Sequence, residues 1–283
     1  SLADSILMNT KPVEFEFAGV TGLIDSIFLK KNDYKISAQV GLNEFSPGKY
    51  IEGLPLLDLT GVGSVNIVSK FGIMDLQSKL FLKPIVYHNL NFGDSFWEAS
   101  VESTNGKLSE LKLVGSAKSM DFPLLTLDRS VISAQYNDGN IILNHIYGLN
   151  KNGDYVFVSG FTDSSMATII VDSLFLNLNG VKSYSGNLDI KKQDDIYLVN
   201  CENLSINDGN IALSGKYANQ EKFEFDMSMD DVDIVDIFEM LRKESTLSGK
   251  INGNSQFSKW NSKPVLFSDI RIIDGQISDF KMD

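Results

Sequence analysis

This 283-residue sequence is poor in the side chains that do most protein chemistry. It has one cysteine, Cys201, so no internal disulfide can form and a disulfide scaffold is excluded. Two histidines, His88 and His145, cannot by themselves furnish a metal site built from several His or Cys ligands. No HExxH, GxSxG, GxxxxGK[ST] or CxxC motif occurs, and Gly61-Val62-Gly63 lacks the third glycine and the following helix of a dinucleotide fingerprint. Cations are in deficit: 25 Lys+Arg stand against 37 Asp+Glu, a formal net charge of -12, which repels a phosphate backbone and argues against nucleic acid as a partner. No stretch approaches 18 consecutive uncharged apolar residues, and the opening segment lacks the basic and apolar regions of a signal peptide. The chain opens on Ser and stops just after a strand-like segment, so we read it as an internal piece of a longer protein, which leaves room for an anchor or signal outside it. Asp230, Asp231, Asp233 and Asp236 lack the spacing of a calcium loop and read instead as the charged start of a helix. Neither a catalytic residue nor a cofactor is expected.

What the sequence has is alternation. Val13, Phe15 and Phe17 share one face against Glu14 and Glu16, and Phe223, Phe225, Met227 and Met229 share one against Glu224, Asp226, Ser228 and Asp230. This is the pattern of half-buried strands. Similar runs include Ile36 to Leu42, Tyr155 with Phe157, Leu174 to Leu178, and Ile270 with Ile272. Asn-Gly at 105, 152, 179 and 252 and Asp-Gly at 138, 208 and 274 supply the positive φ of tight hairpins. Antiparallel meanders follow, and the want of crossover helices argues against a parallel α/β sheet. Asn137-Asp138-Gly139-Asn140-Ile141 is echoed by Asn207-Asp208-Gly209-Asn210-Ile211 and by Ile273-Asp274-Gly275-Gln276-Ile277. Such degenerate repetition suggests a sheet growing along one axis. One segment breaks the pattern: residues 230–243 put Ile234, Ile237, Phe238 and Leu241 on one helical face, with acids at the start and Arg242 and Lys243 at the end. A second, shorter helix is expected before Pro12.

From Val232 to Ile277 the sequence resembles the TamB family and its AsmA-like relatives. The likeness rests on the helix Val232 to Leu241, then Leu247-Ser248-Gly249-Lys250-Ile251-Asn252-Gly253, then Trp260 to Pro264, then Phe267 to Ile277. Leu59-Thr60-Gly61-Val62-Gly63-Ser64-Val65 after Leu54-Pro55-Leu56-Leu57 looks like an earlier, weaker copy. The resemblance implies an all-β fold, an elongated, curved antiparallel sheet forming an open, taco-shaped groove, here one continuous repetitive segment over 1–283 with one or two short amphipathic helices. It also implies a periplasmic protein anchored in the inner membrane. Such proteins carry phospholipids toward the outer membrane and take part in outer-membrane protein assembly, so phospholipid acyl chains, the envelope membranes and outer-membrane assembly proteins are the implied partners. Alternation alone selects Phe15, Phe17, Tyr155, Phe157, Leu174, Leu176, Leu213, Phe223, Phe225 and Met227 as residues lining the groove. A one-residue slip of register would invert each choice. The competing readings are a closed β-sandwich and a β-solenoid adhesion module, although the isolated Trp97 and Trp260 do not form the aromatic ladder of the latter.

Overall fold

Period-two alternation needs a partner on each side of every strand, and antiparallel neighbours joined by short turns supply it. A computed structural model describes the chain except for residues 1–4, 9–11, 18, 31–32, 47–48, 50–57, 88–89, 106, 123–124, 138, 164–166, 220, 261–262, 278–279 and 282–283. The chain is all-β: open antiparallel sheet, not closed into a barrel, plus one short helix. It divides into two compact units, Ser1–Gly139 and Asn140–Asp283.

In the first unit β1 (Ser5–Met8) and β2 (Val13–Phe17) lie end to end along β3 (Val20–Lys30). The ladder continues through β4 (Asp33–Phe45), β5 (Leu59–Lys70), β6 (Ile73–Leu82), β9 (Ser95–Thr104), β10 (Lys107–Ala117) and β13 (Arg129–Asn137). Four short strands, β7 (Ile85–Tyr87), β8 (Leu90–Phe92), β11 (Met120–Phe122) and β12 (Leu125–Leu127), form a second sheet in the order β7-β8-β11-β12. That order repeats β6-β9-β10-β13 because each short strand prolongs one of the long ones across a break at Lys83-Pro84, Gly93-Asp94, Lys118-Ser119 or Asp128. The breaks turn the strand tips back onto the sheet. Ile85 joins Leu42 and Leu82 in one core, with Val20, Leu80, Phe92 and Trp97 packed against it. Met120 and Leu127 are fully buried; each such side chain contributes roughly 1.5–3 kcal/mol.

The second unit runs β14 (Asn140–Leu149), β15 (Tyr155–Asp163), β16 (Thr168–Leu178), then β17 (Val181–Ser185) and β18 (Leu188–Gln193) end to end. It continues through β19 (Ile196–Ile206), β20 (Gly209–Asn219), β21 (Lys222–Asp233), β22 (Leu247–Trp260), β23 (Val265–Ile277) and the two-residue β24 (Phe280–Lys281). Asn179 at φ 54° and Gly180 at φ 89° give the β16 to β17 hairpin its two left-handed turn residues. The helix α1 (Ile234–Met240) lies between β21 and β22 and packs on β17, β21 and β22. Val181, Ile206 and Val232 are buried, as is Ile234 of the helix itself.

Three local expectations are corrected. The helix read over 230–243 covers only Ile234–Met240. Asp230 continues β21 opposite Asn210, and Asp233 is the N-cap, its carboxylate accepting from the Val235 N–H at 2.8 Å. The ladder partner outcompetes the helix for the first three acids, and Arg242 and Lys243 fall beyond the C-cap Leu241. The helix expected before Pro12 is instead strand β1, because the edge of β3 offers hydrogen bonds that an isolated short helix cannot match. Asn252-Gly253 and Asp274-Gly275 do not turn the chain. Both lie inside long strands, and Asp274, at φ 52°, sits where the β22 to β23 register shifts. Residues 54–57, His88, Gly106 and Asp138, singled out in the sequence, lie outside the described residues.

Candidate functional site

Residues directly opposite in a ladder share a face, so the registers sort every side chain without appeal to pattern. In the first unit one face carries Tyr34, Ile36, Ala38, Val40 and Leu42 from β4, against Ser69, Ile67, Val65, Gly63 and Gly61 from β5. The same face continues with Met74, Leu76, Ser78, Leu80 and Leu82, then Ser95, Trp97, Ala99, Val101 and Ser103. Leu111, Leu113, Gly115 and Ala117 of β10 and Ser130, Ile132, Ala134 and Tyr136 of β13 complete it. Among the described residues paired this way across seven adjacent strands, from β3 to β13, no side chain on this face is charged. The opposite face holds Lys35, Asp75, Lys79, Glu98, Glu102, Glu110 and Lys112. Phe15 belongs to the uncharged face, its ring lying over Gly22. Phe17 occupies the same parity of β2, and its side chain lies outside the described residues.

The second unit repeats the division. Leu213 pairs with Met227, Gly215 with Phe225 and Tyr217 with Phe223, so four of the expected lining residues stand together. Phe257 of β22 faces Phe225, and its ring centroid lies 5.1 Å from that of Phe223. Cys201 and Val199 extend the face through β19, Leu188 and Ile190 through β18, and Val171 and Ile169 through β16. Leu174 and Leu176 fall on it too, paired with Val158 and Val156. Its charges among the described paired residues are Lys192 and Lys259, both near strand ends.

Tyr155 and Phe157 do not join this group. They pair with Asn177 and Phe175 on the polar face, where Phe157 stacks on His145 with centroids 6.4 Å apart and Phe175 touches Tyr184 at 4.5 Å. Both parities of β15 are apolar, so alternation could not choose between Tyr155-Phe157 and Val156-Val158; the register with β16 does. Leu80, Trp97, Val101, Leu111 and Leu113 were missed altogether. Their alternation was present in the sequence but diluted by Ser, Gly and Ala at the same parity.

Helix α1 covers one end of the uncharged face of its unit. Ser183 and Ser185 are buried there, and the Ser183 hydroxyl approaches the Met240 sulfur at 3.6 Å. The far end of the helix is tied down by Asp154, which is 2% exposed. Its carboxylate accepts from the Asn179 backbone N–H at 2.7 Å, the Asn150 amide at 2.9 Å and the Arg242 guanidinium at 2.7 Å. Burial alone would push this carboxyl up; the Asn179, Asn150 and Arg242 contacts more than offset it and hold Asp154 below the ordinary carboxylate range. A cleft of about 720 Å³ follows the row Cys201, Leu213, Met227, Ser255 and Ser268 across five strands. Small side chains in that row leave the space, and Leu213 and Met227 supply its apolar contact. Among the described residues no group of three or more His, Cys, Asp or Glu is placed to hold a metal ion, and no helix is long and apolar enough to cross a membrane. The chain matches no known protein family, no characterised protein and no solved structure.

Proposed function

We propose that this chain is a lipid-holding sheet segment of a periplasmic, envelope-spanning protein, carrying phospholipids between inner and outer membranes and contributing to outer-membrane protein assembly. In this reading, parts of the protein outside this sequence connect it to the membranes. The observation that carries the proposal is the uncharged face running across seven adjacent strands of the first unit. An acyl chain gains roughly 0.8 kcal/mol per buried CH₂, so a chain of about 16 carbons loses on the order of 10 kcal/mol on entering water. A broad apolar surface lowers that cost at every step without recognising any one lipid, and it needs no catalytic group. The charged opposite face keeps the sheet in solution. The resemblance of Val232 to Ile277 to TamB and AsmA-like proteins supports the same reading.

The test is native mass spectrometry and lipid extraction of the purified chain, together with a photocrosslinker placed singly at Phe225 or Glu224. These neighbours lie on opposite faces, Glu224 being bound to Lys216 at 2.7 Å. Copurifying phospholipid and labelling from position 225 alone are expected. Absence of lipid, or equal labelling from both positions, refutes the proposal.

A further inference from the structure

The polar face of the first unit is not polar throughout. Where the strands break, one row carries Lys83, Asp94, Lys118 and Arg129, and the next row inward on the same face carries Val62, Phe81, Phe96 and Val131. Both rows line an open cleft of about 900 Å³. Val62 and Phe81 are 61% and 59% exposed, far more than a half-buried strand residue requires, and the rings of Phe81 and Phe96 lie 4.7 Å apart. Two cations farther along this face are matched, Lys79 by Glu98 at 2.8 Å and Lys112 by Glu110 at 3.0 Å, whereas among the described residues Lys35 stands alone opposite Val68. In the break row only Lys118 has an acid, Asp94 at 3.3 Å; among the described residues Lys83 and Arg129 have no ion-pair partner. The row therefore holds three cations against one anion in a chain whose net charge is -12.

The geometry points to a docking patch for an anionic lipid bilayer. Four adjacent strands, β6, β9, β10 and β13, set the row, and at about 4.8 Å per strand its cations span about 14 Å, so they reach one surface together. Basic side chains beside protruding apolar ones are the composition that seats a protein in a headgroup layer, the cations on lipid phosphates and the apolar groups just beneath. The overall acidity repels the same membrane, so only an approach that leads with this patch is favourable, which gives docking a fixed orientation. This role is independent of the acyl-chain reading, which concerns the opposite face.

Cosedimentation of the intact chain with vesicles tests it, comparing 30% phosphatidylglycerol in phosphatidylcholine with pure phosphatidylcholine at low and high salt. Binding to the anionic vesicles is expected, weakening as salt rises. Each cation near the surface is worth roughly fivefold, so K83Q/K118Q/R129Q lowers binding on the order of 100-fold. K151Q/K191Q/K243Q, with the same change of net charge in the other unit, leaves it within a few fold. Phe81→Ser weakens binding at both salt concentrations. Equal partitioning to both vesicles, equal loss in the two triple variants, or displacement by millimolar inorganic phosphate overturns the inference; the last result assigns the row to a free phosphate. Anionic-vesicle binding that persists when the photocrosslinker at Phe225 captures no lipid would leave the docking patch standing and the groove reading refuted.

Discussion

Removing the Asp154 carboxylate should release the C-terminal end of α1 from the β14 to β15 and β16 to β17 turns. The carboxylate is 2% exposed and accepts three hydrogen bonds, from Asn179, Asn150 and Arg242. The Asn179 and Asn150 bonds to a charged acceptor contribute about 1.5–3 kcal/mol each. The Arg242 side chain is 46% exposed and keeps much of its water, so its bridge adds less than about 1 kcal/mol. Asp154→Ala should therefore destabilise the second unit by about 3–5 kcal/mol, and Arg242→Gln by less than about 1 kcal/mol. Urea titration followed by far-UV circular dichroism measures both, and amide hydrogen exchange in 234–240 reports the helix directly. Because the folded-state pKa of Asp154 lies below its unfolded value, its contribution is fully present above the unfolded pKa of about 3.9 and is lost as pH falls through the folded one. The difference between wild type and Asp154→Ala should be flat from about pH 7 to pH 5 and shrink below about pH 4. Equal losses in Asp154→Ala and Arg242→Gln, or a difference that shrinks toward alkaline pH instead, would refute the reasoning.

Other perturbations probe the sheets. Leu127→Ala, at a fully buried position of the folded-back tip, should cost about 2–5 kcal/mol in the first unit by thermal unfolding. A Cβ at Gly63 would stand 2.1 Å from the Lys79 carbonyl oxygen across the β5 to β6 ladder, so Gly63→Ala should cost more than about 2 kcal/mol; a neutral result in the same unfolding assay would mean the two strands can separate freely. Leu213→Glu and Ser214→Glu add the same charge one residue apart. The first should destabilise by about 2 kcal/mol and the second by less than about 0.5 kcal/mol, and similar losses would contradict the assigned faces.

Legibility followed the contrast within each strand. In β21 large apolar residues alternate with acids, and Phe223, Phe225 and Met227 stand together on the uncharged face. In β15 Tyr155, Val156, Phe157 and Val158 are all apolar, and the side with larger rings is the polar one. In β5, β9 and β13 the uncharged face is made partly of Gly61, Gly63, Ser95, Ala99, Ser130 and Ala134, whose neutrality rather than hydrophobicity is the signal. Turn dipeptides read well at Asn179-Gly180. They misled at Asn252-Gly253 and Asp274-Gly275, where positive φ serves a long ladder instead of ending a strand.

Sequence by itself determines that this protein is an antiparallel β protein with one charged and one uncharged side to its strands, because local alternation is a property of each strand alone. It also places one amphipathic helix within residues 230–243, since its apolar face and flanking charges are local, whereas the β21 ladder sets its start at Ile234. Only the tertiary structure decides which parity of an all-apolar strand joins the uncharged face, because face is set by the partner's register. It alone shows that β7, β8, β11 and β12 are the tips of four longer strands folded back on their own sheet. And it alone gathers Lys83, Lys118 and Arg129, up to 46 residues apart in the chain, into one row, because strand pairing is the only force that brings them side by side.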